Sequence, residues 1–306
     1  MNARQLEVFH AIMRCGTLTG AAKALNVSQP ALSQILLHTE DALGLKLFQR
    51  VKGRLVPTPE AEELFPETER VFHAFDNLRR FAADLKHGKG GLIRLAASVP
   101  PSLSLVPRAL KAFRAASPGV RVRAYVVPVA TIAQMLEQGD ADLGVAMNDE
   151  RLPLIETELI GKSEIVCVTR ADHRLAAQSE VTAGDLEGEA VISYRGDSLP
   201  GRLLGEAFAG AGRRLRPDVE IDVSIIALSF VQQSIGIALV DGLLPWTSFP
   251  GLIVRRFRPT VTLPLSLLTS SSRPLSRQQE RLRQHLRAAV KAHASDPTSQ
   301  GVLTAV

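Results

Sequence analysis

Residues 16–64 read GTLTGAAKALNVSQPALSQILLHTEDALGLKLFQRVKGRLVPTPEAEEL, and the stops and starts within them decide the fold. Before them, Leu6, Phe9, Ile12 and Met13 recur at the spacing of one helix face, so residues 3–13 are a helix that Gly16 ends. Thr17 and Thr19 are candidate caps for a second, short helix over 20–25. Asn26-Val27 makes a tight turn. Ser28 caps a third helix to Leu43, with Pro30 in the first turn, where a missing N–H costs little, and Gly44 stops it. On that helix Ala31, Leu32, Ile35, Thr39 and Leu43 form the inward stripe. Gln29, Ser33, Gln34 and Leu37 fall outward. The basic stretch 50–55, with Gly53 at its centre, reads as a hairpin or wing.

Two helices joined by a tight turn, the second capped and mixed in polarity, make a helix-turn-helix. Gln and Ser reach base edges, Gln best to adenine. Arg50, Lys52 and Arg54 would sit beside a groove and neutralise phosphates. A three-helix bundle that never meets DNA gives the same stripe, so the pattern alone leaves both readings open. Charge leans toward the first. Residues 1–58 carry seven Lys and Arg against three Asp and Glu, most of the chain's net +5.

The chain has 306 residues, 45% hydrophobic and 22% charged, which fits two or three globular domains. It has no apolar run of about 18 residues, and Glu7 and His10 interrupt the N-terminus where a secretory signal needs an apolar core. The expectation is a soluble, cytoplasmic protein that does not contact membranes. Cys15 and Cys167 lie too far apart in sequence for a zinc site, and both read as buried small hydrophobes.

Thr58-Pro59 opens a long helix over 59–87, with Leu64, Phe65, Val71, Phe72, Phe75, Leu78, Phe81, Ala82 and Leu85 at helical spacing. Pro66 should kink it or split off its first turns. Residues 88–91 form a hinge. Beyond it the spacing predicts strands at 92–96, 120–127, 142–146, 165–169, 190–193, 219–223, 236–240 and 263–268. Helices fall at 106–115, 131–138, 201–211, 224–234 and 276–292. Strand alternating with helix implies parallel sheets covered on both faces, here as two lobes over 92–295. Residues 296–306 read as a flexible tail.

The stretches AAKALNVSQPALS, LGLKLFQR and LVPTPE, at these spacings, make residues 3–87 resemble the DNA-binding region of the LysR-type transcriptional regulators. The resemblance implies an α/β protein. An N-terminal winged helix-turn-helix domain (1–58) and a dimerising linker helix (59–87) would precede a two-lobed effector domain built like periplasmic binding proteins. It implies a homodimer or homotetramer on a double-stranded DNA operator, contact with RNA polymerase, a small-molecule effector, no cofactor and no enzymatic activity. Carried over, Ser28, Gln29, Pro30, Ser33 and Gln34 contact DNA from the recognition helix. Thr17 meets phosphate, and Arg50 and Arg54 meet phosphate or the minor groove. Where relatives often carry Arg or Lys after the Ser-Gln pair, this chain has Ile35-Leu36-Leu37-His38, which removes one phosphate contact. The first half also resembles regulators of lysine synthesis and opine breakdown, which implies an amino-acid-like effector.

Open α/β sheets bind ligands where strand ends meet helix starts. Ser98, Pro100 and Ser102 follow the first strand of the body, Thr131 begins a helix, and Ser224 opens another. Hydroxyls and free N–H groups there suit a carboxylate. The resemblance adds Met147, Ser193, Tyr194 and Asp241 to this cleft. For each Ser or Thr, plain helix capping competes with ligand binding. Two rivals remain. An enzyme would need a catalytic constellation, but no GxSxG or HExxH is present, and the seven histidines are scattered and read as exposed and idle. A periplasmic binding protein would share the two lobes, but not the basic first domain.

Overall fold

Asn2 and Gln5 bond each other's backbone N–H groups and so start α1 (Ala3–Cys15) in the computed structural model of the chain. Residues 1–86, 91–148, 151–299 and 302–306 are described. Gly16 ends α1 in the left-handed conformation, and the Thr17 hydroxyl accepts the Gly20 N–H to cap α2 (Leu18–Ala24). Ser28 caps α3 (Gln29–Leu43), and left-handed Gly44 closes it. Val8, Ile12, Ala21, Ala22, Leu32 and Leu36 form the common core of these helices. Then β1 (Phe48–Val51) and β2 (Arg54–Pro57) pair antiparallel across Lys52-Gly53. Both turn residues have positive φ, 47° and 79°, the tight hairpin turn whose twist matches the strands. The Thr58 hydroxyl accepts the Ala61 N–H and starts α4 (Pro59–Lys86).

This helix runs unbroken through Pro66. Pro66 and Glu62, whose carbonyl loses its usual donor, are both exposed, so the lost bond lies on the solvated side and the helix is not split. Ala61 packs with Phe9 and Leu47. Farther along, His10 Nε2 lies 2.5 Å from Glu69 Oε1, and its ring stacks 4.2 Å from Phe72. His10 is therefore a packed, paired side chain, not an idle one. Cys15 is exposed, because it falls on the outer side of the last turn of α1. Ala31 is exposed and Leu36 buried, a rotation of the expected inward stripe. Met1–Ala83 form one compact unit and Asp84–Val306 a second. The expected hinge residues 88–90, and His87 before them, lie outside the described residues, as do the side chains of Phe81 and Leu85.

The second unit contains β3 (Leu92–Ala97), α5 (Val99–Ala116), β4 (Arg121–Val126), α6 (Val129–Gln138), β5 (Leu143–Ala146) and β6 (Ile155–Arg170). There follow β7 (Glu180–Thr182), β8 (Val191–Tyr194), α7 (Leu199–Gly210), β9 (Val219–Ile221), α8 (Ser224–Gln232) and β10 (Ile237–Asp241). The last elements are β11 (Leu252–Arg258), β12 (Thr262–Ser270), α9 (Arg277–Ala294) and β13 (Leu303–Ala305). The strand path runs β4-β3-β5-β12-β6-β10-β8-β9. In the first lobe, Leu95, Leu105, Phe113, Leu282 and Leu286 pack on one face of the sheet, and Ala96, Ile132 and Leu136 on the other. The second lobe has its own core around Ile192, Leu204, Leu228 and Phe257.

The sheets are mixed, not parallel. β3, β4 and β5 are parallel to one another, but β12 and β6 run antiparallel within the path. β6 is far longer than the 165–169 segment legible in the sequence. Its first half pairs with β12 in one lobe, and its second half pairs with β10 and β11 in the other. Other segments cross beside it. The Gly242 N–H donates to the Glu164 carbonyl (2.8 Å), and the Ile165 N–H donates to Val261 (2.8 Å).

Residues 302–306 of the expected free tail pack at this crossing. β13 pairs with Gly161–Ser163, and the Glu164 N–H donates to the Val302 carbonyl at 2.7 Å. Val302 sits in the core of the second lobe and Leu303 in that of the first. A Cβ at Gly242 would lie 2.7 Å from Val302, so the strap closes over a position only glycine fits. A three-residue strand behind a turn-rich stretch carries no readable periodicity, which is why the sequence suggested a tail. Leu303→Ala is expected to destabilise the second unit by about 2–5 kcal/mol in denaturant unfolding. An unchanged midpoint would mean that the strap is not packed.

Candidate nucleic-acid interface and effector cleft

Three elements of the first unit expose polar and basic side chains. Gln29, Pro30 and Gln34 are exposed on α3, and Ser33 is half-buried. Thr19 Oγ1 donates to Gln29 Oε1 (3.4 Å), which orients the amide. The Ser28 hydroxyl is occupied as a cap, accepting the Ala31 N–H at 3.4 Å, and Thr17 is likewise a cap. Arg50, Lys52 and Arg54 are exposed on the wing. Thus the helix offers donors and acceptors, and the hairpin offers cations.

Glu40 is the residue that sequence reasoning missed here. It is buried on the inner side of α3, 7% exposed. Its Oε1 accepts the N–H groups of Leu47 (2.9 Å) and Phe48 (3.2 Å), and its Oε2 lies 2.7 Å from Lys46 Nζ. Burial opposes the charge, but Lys46 and the two N–H groups outweigh it and hold the carboxyl below the usual range.

In the second unit the predicted effector residues fall into two groups. In the first lobe, Ser98 precedes α5, yet its hydroxyl does not cap that helix. It accepts the Met147 N–H instead, at 3.3 Å. Met147 is half-buried and packs against the cores of both lobes, which puts it on the floor between them. α5 begins at Val99, not at 106, because Pro100 and Pro101 occupy first-turn positions that need no N–H donor. Ser102 donates to the Val99 carbonyl (2.6 Å) and is bound within that turn. Thr131 is not a cap either, since α6 starts at Val129 behind Pro128.

In the second lobe, Tyr194, Ser224 and Asp241 come together at the ends of β8 and β10 and the start of α8. The Tyr194 hydroxyl donates to Asp241 Oδ2 (2.8 Å), and the Leu243 N–H donates to Oδ1 (3.1 Å). Burial pushes the Asp241 carboxyl above the usual carboxylate range, against the pull of Ser224, Tyr194 and the Leu243 N–H. Burial, reinforced by Asp241, also raises Tyr194 well above its ordinary value. The Ser224 hydroxyl is buried within electrostatic reach of both but forms no bond of good geometry. Ser193 is not part of this group. It is fully buried and donates to the Leu239 carbonyl (3.0 Å). Ser266, unmarked in the sequence, is fully buried opposite Ala146 with an unpartnered hydroxyl.

Two surface hollows, about 370 and 440 Å³, open elsewhere on this unit. One is lined by Arg170, Asp172, Gln232 and Leu252, the other by Glu156, Thr269, Arg273 and Arg283. Neither includes a predicted effector residue. Cys167 is buried, and its thiol is pushed up to about 12 by that burial, so it is inert packing.

Residues 3–62 match the bacterial regulatory helix-turn-helix protein, lysR family, and residues 86–291 match the LysR substrate binding domain. The chain belongs to the LysR family of transcriptional regulators. It is a DNA-binding regulator with an effector-binding domain. The regulatory protein NocR of Agrobacterium fabrum is 31% identical over 95% of this chain and 98% of its own. The transcriptional activator protein LysR of Escherichia coli is 32% identical over 95% and 94%. The octopine catabolism/uptake operon regulatory protein OccR of Rhizobium meliloti is 32% identical over 79% and 80%. Among solved structures, full-length CbnR complexed with its target DNA superposes with a TM-score of 0.67 at 20% identity, over 94% of this chain and all of that one, a likeness of fold. These LysR-family relatives carry regulator names, not enzyme names.

The raised Asp241 carboxyl sets a pH dependence. A carboxyl that holds its proton more tightly when folded costs stability once ionised, so stability falls as pH rises from the ordinary carboxylate range through the raised value. Asp241→Asn removes that term. Its unfolding midpoint is expected to rise relative to the parent as pH rises above the ordinary carboxylate range of about pH 4. A pH-independent difference would contradict the assignment.

Proposed function

We propose that this LysR-family regulator reads operator DNA with α3 and the wing, and that a small carboxylate of amino-acid type, bound between the lobes, sets its activity. Gln29, Ser33 and Gln34 face base edges, with Pro30 packed against them. Thr17, Ser28, Arg50, Lys52 and Arg54 take phosphates and fix the register. α4 leaves Val71, Phe75 and Leu78 more than half exposed at i, i+4 and i+7 spacing, a seam for the same helix of a second chain. A two-fold dimer, alone or paired into a tetramer, meets two half-sites. Its contacts with RNA polymerase and its bending of DNA carry the signal in the cytoplasm, and it catalyses no reaction.

One observation carries the effector class. The helices α1, α2, α3, α7 and α9 start under side-chain caps from Asn2, Thr17, Ser28, Ser198 and Ser276. The three that start after β3, β4 and β9, namely α5, α6 and α8, receive none. Those strand ends are where an open α/β sheet takes its ligand, and open helix starts are electropositive. Ser266 adds a buried hydroxyl without a partner, and Ser224 a buried hydroxyl held beside Tyr194 and Asp241 without a bond of good geometry. That arrangement favours an anion, and the octopine named for OccR is an amino-acid derivative. Effector and operator are then linked by a coupling of about 1–3 kcal/mol, a 5–150-fold effect.

The class is tested with pairs of amino-acid-type acids and their primary amides, read by thermal unfolding of the whole chain. At about 100 times Kd an effector adds roughly 2.7 kcal/mol. An acid that raises the midpoint while its amide does not supports the reading. Equal shifts by acid and amide, or no shift from any acid, would overturn it.

A further inference from the structure

We infer that Leu37 is a base-reading residue that covers the methyl group of a thymine in the operator. The inference rests on α3 being the helix that enters the groove. Leu37 is 50% exposed and belongs to no hydrophobic cluster of its own unit. The inner side of α3 is filled by Leu32, Leu36, Thr39 and Glu40, so Leu37 has no second face to turn to. An apolar side chain left in water forgoes the stabilisation that covering it would bring.

Its place on the helix says what covers it. Pro30, Ser33, Gln34 and Leu37 stand at i, i+3, i+4 and i+7, and Pro30, Gln34 and Leu37 are exposed with Ser33 half-buried. That is the spacing with which a homeodomain recognition helix presents four side chains to the major groove. Leu37 lies one turn, about 5.4 Å, beyond Ser33 and Gln34, within the same stripe. A leucine has no hydrogen-bonding atom, so among base edges in the major groove only the thymine methyl is complementary to it. The exposed residues that follow, His38 beside the stripe and Asp41 one turn farther along it, are polar, so the apolar patch at Leu37 is one residue wide. A single base methyl matches that size, whereas a protein partner needs a broader apolar surface.

The experiment first selects binding sites for the full chain from a random duplex pool, then replaces each thymine of the enriched site in turn by deoxyuridine, which removes only the methyl. Affinities are measured for the parent and for Leu37→Ala, with random duplex as a control on folding and phosphate contacts. One thymine in each half-site is expected at which deoxyuridine weakens the parent about fourfold, the equivalent of about 0.8 kcal/mol for one buried methyl-sized group. Leu37→Ala should lose the same factor on the thymine site, be indifferent to deoxyuridine there, and bind random duplex like the parent. If every deoxyuridine position affects both proteins equally, or if Leu37→Ala weakens selected and random duplex alike, the inference is wrong and Leu37 meets the backbone or another protein. Failure of the pool to enrich any site would instead overturn the reading of α3 as the recognition helix.

Discussion

α3 can offer one face to DNA because a carboxylate locks the other. Glu40 bonds the N–H groups of Leu47 and Phe48, where the chain leaves the helix and enters the wing. The same stretch is held from beyond. The Thr58 hydroxyl donates to the Lys46 carbonyl (2.7 Å), the Thr58 N–H donates to Leu47, and the same hydroxyl caps α4. Recognition helix, wing and linker helix are thereby joined through three residues of backbone. Removing the Glu40 carboxylate would strand the buried Leu47 N–H, at a cost of about 1–3 kcal/mol, and the half-buried Phe48 N–H beside it. The angle between Gln29 on the helix and Arg50 on the wing depends on that junction.

The second unit is organised around a crossing instead. β6 belongs to both lobes, and Glu164 stands where it changes partners, bonded to Gly242 and Val302. Val302 and Leu303 then anchor adjacent residues of one short strap in two different cores. A change in the angle between lobes must pass through this place. The uncapped starts of α5, α6 and α8 lie at the strand ends, so an anion there can favour one lobe arrangement over another.

Much of this was legible in the sequence, and the misses share a cause. Caps and stops are local, so Thr17, Ser28, Gly44, Gly53 and Thr58 marked the first unit almost to the residue. The order of strand and helix likewise gave the two lobes. Glu40 carried no signal in the sequence because its partners Leu47 and Phe48, seven and eight residues later, return to it only in three dimensions. The first half of β6 escaped notice because Glu156, Glu158, Lys162 and Glu164 interrupt its apolar pattern. Residues 99–105 were left outside the expected helix at 106–115, although Pro100 and Pro101 stand in its first turn, where a missing N–H costs little. Ser193 was placed in the cleft by the family resemblance alone, and its hydroxyl is bonded to the Leu239 carbonyl of the neighbouring strand. Ser266 sits in a leucine-rich run, where nothing local shows that its hydroxyl lacks a partner.

The central claim is that α3 reads bases while the wing holds phosphates. The most direct measurement compares Gln29→Ala and Arg50→Ala by titration on a selected operator and on random duplex at several salt concentrations. The account predicts that Gln29→Ala loses about 1–3 kcal/mol on the operator alone, with its salt slope unchanged. It predicts that Arg50→Ala weakens both duplexes and lowers the salt slope by about one. Equal losses by both variants on both duplexes would contradict it.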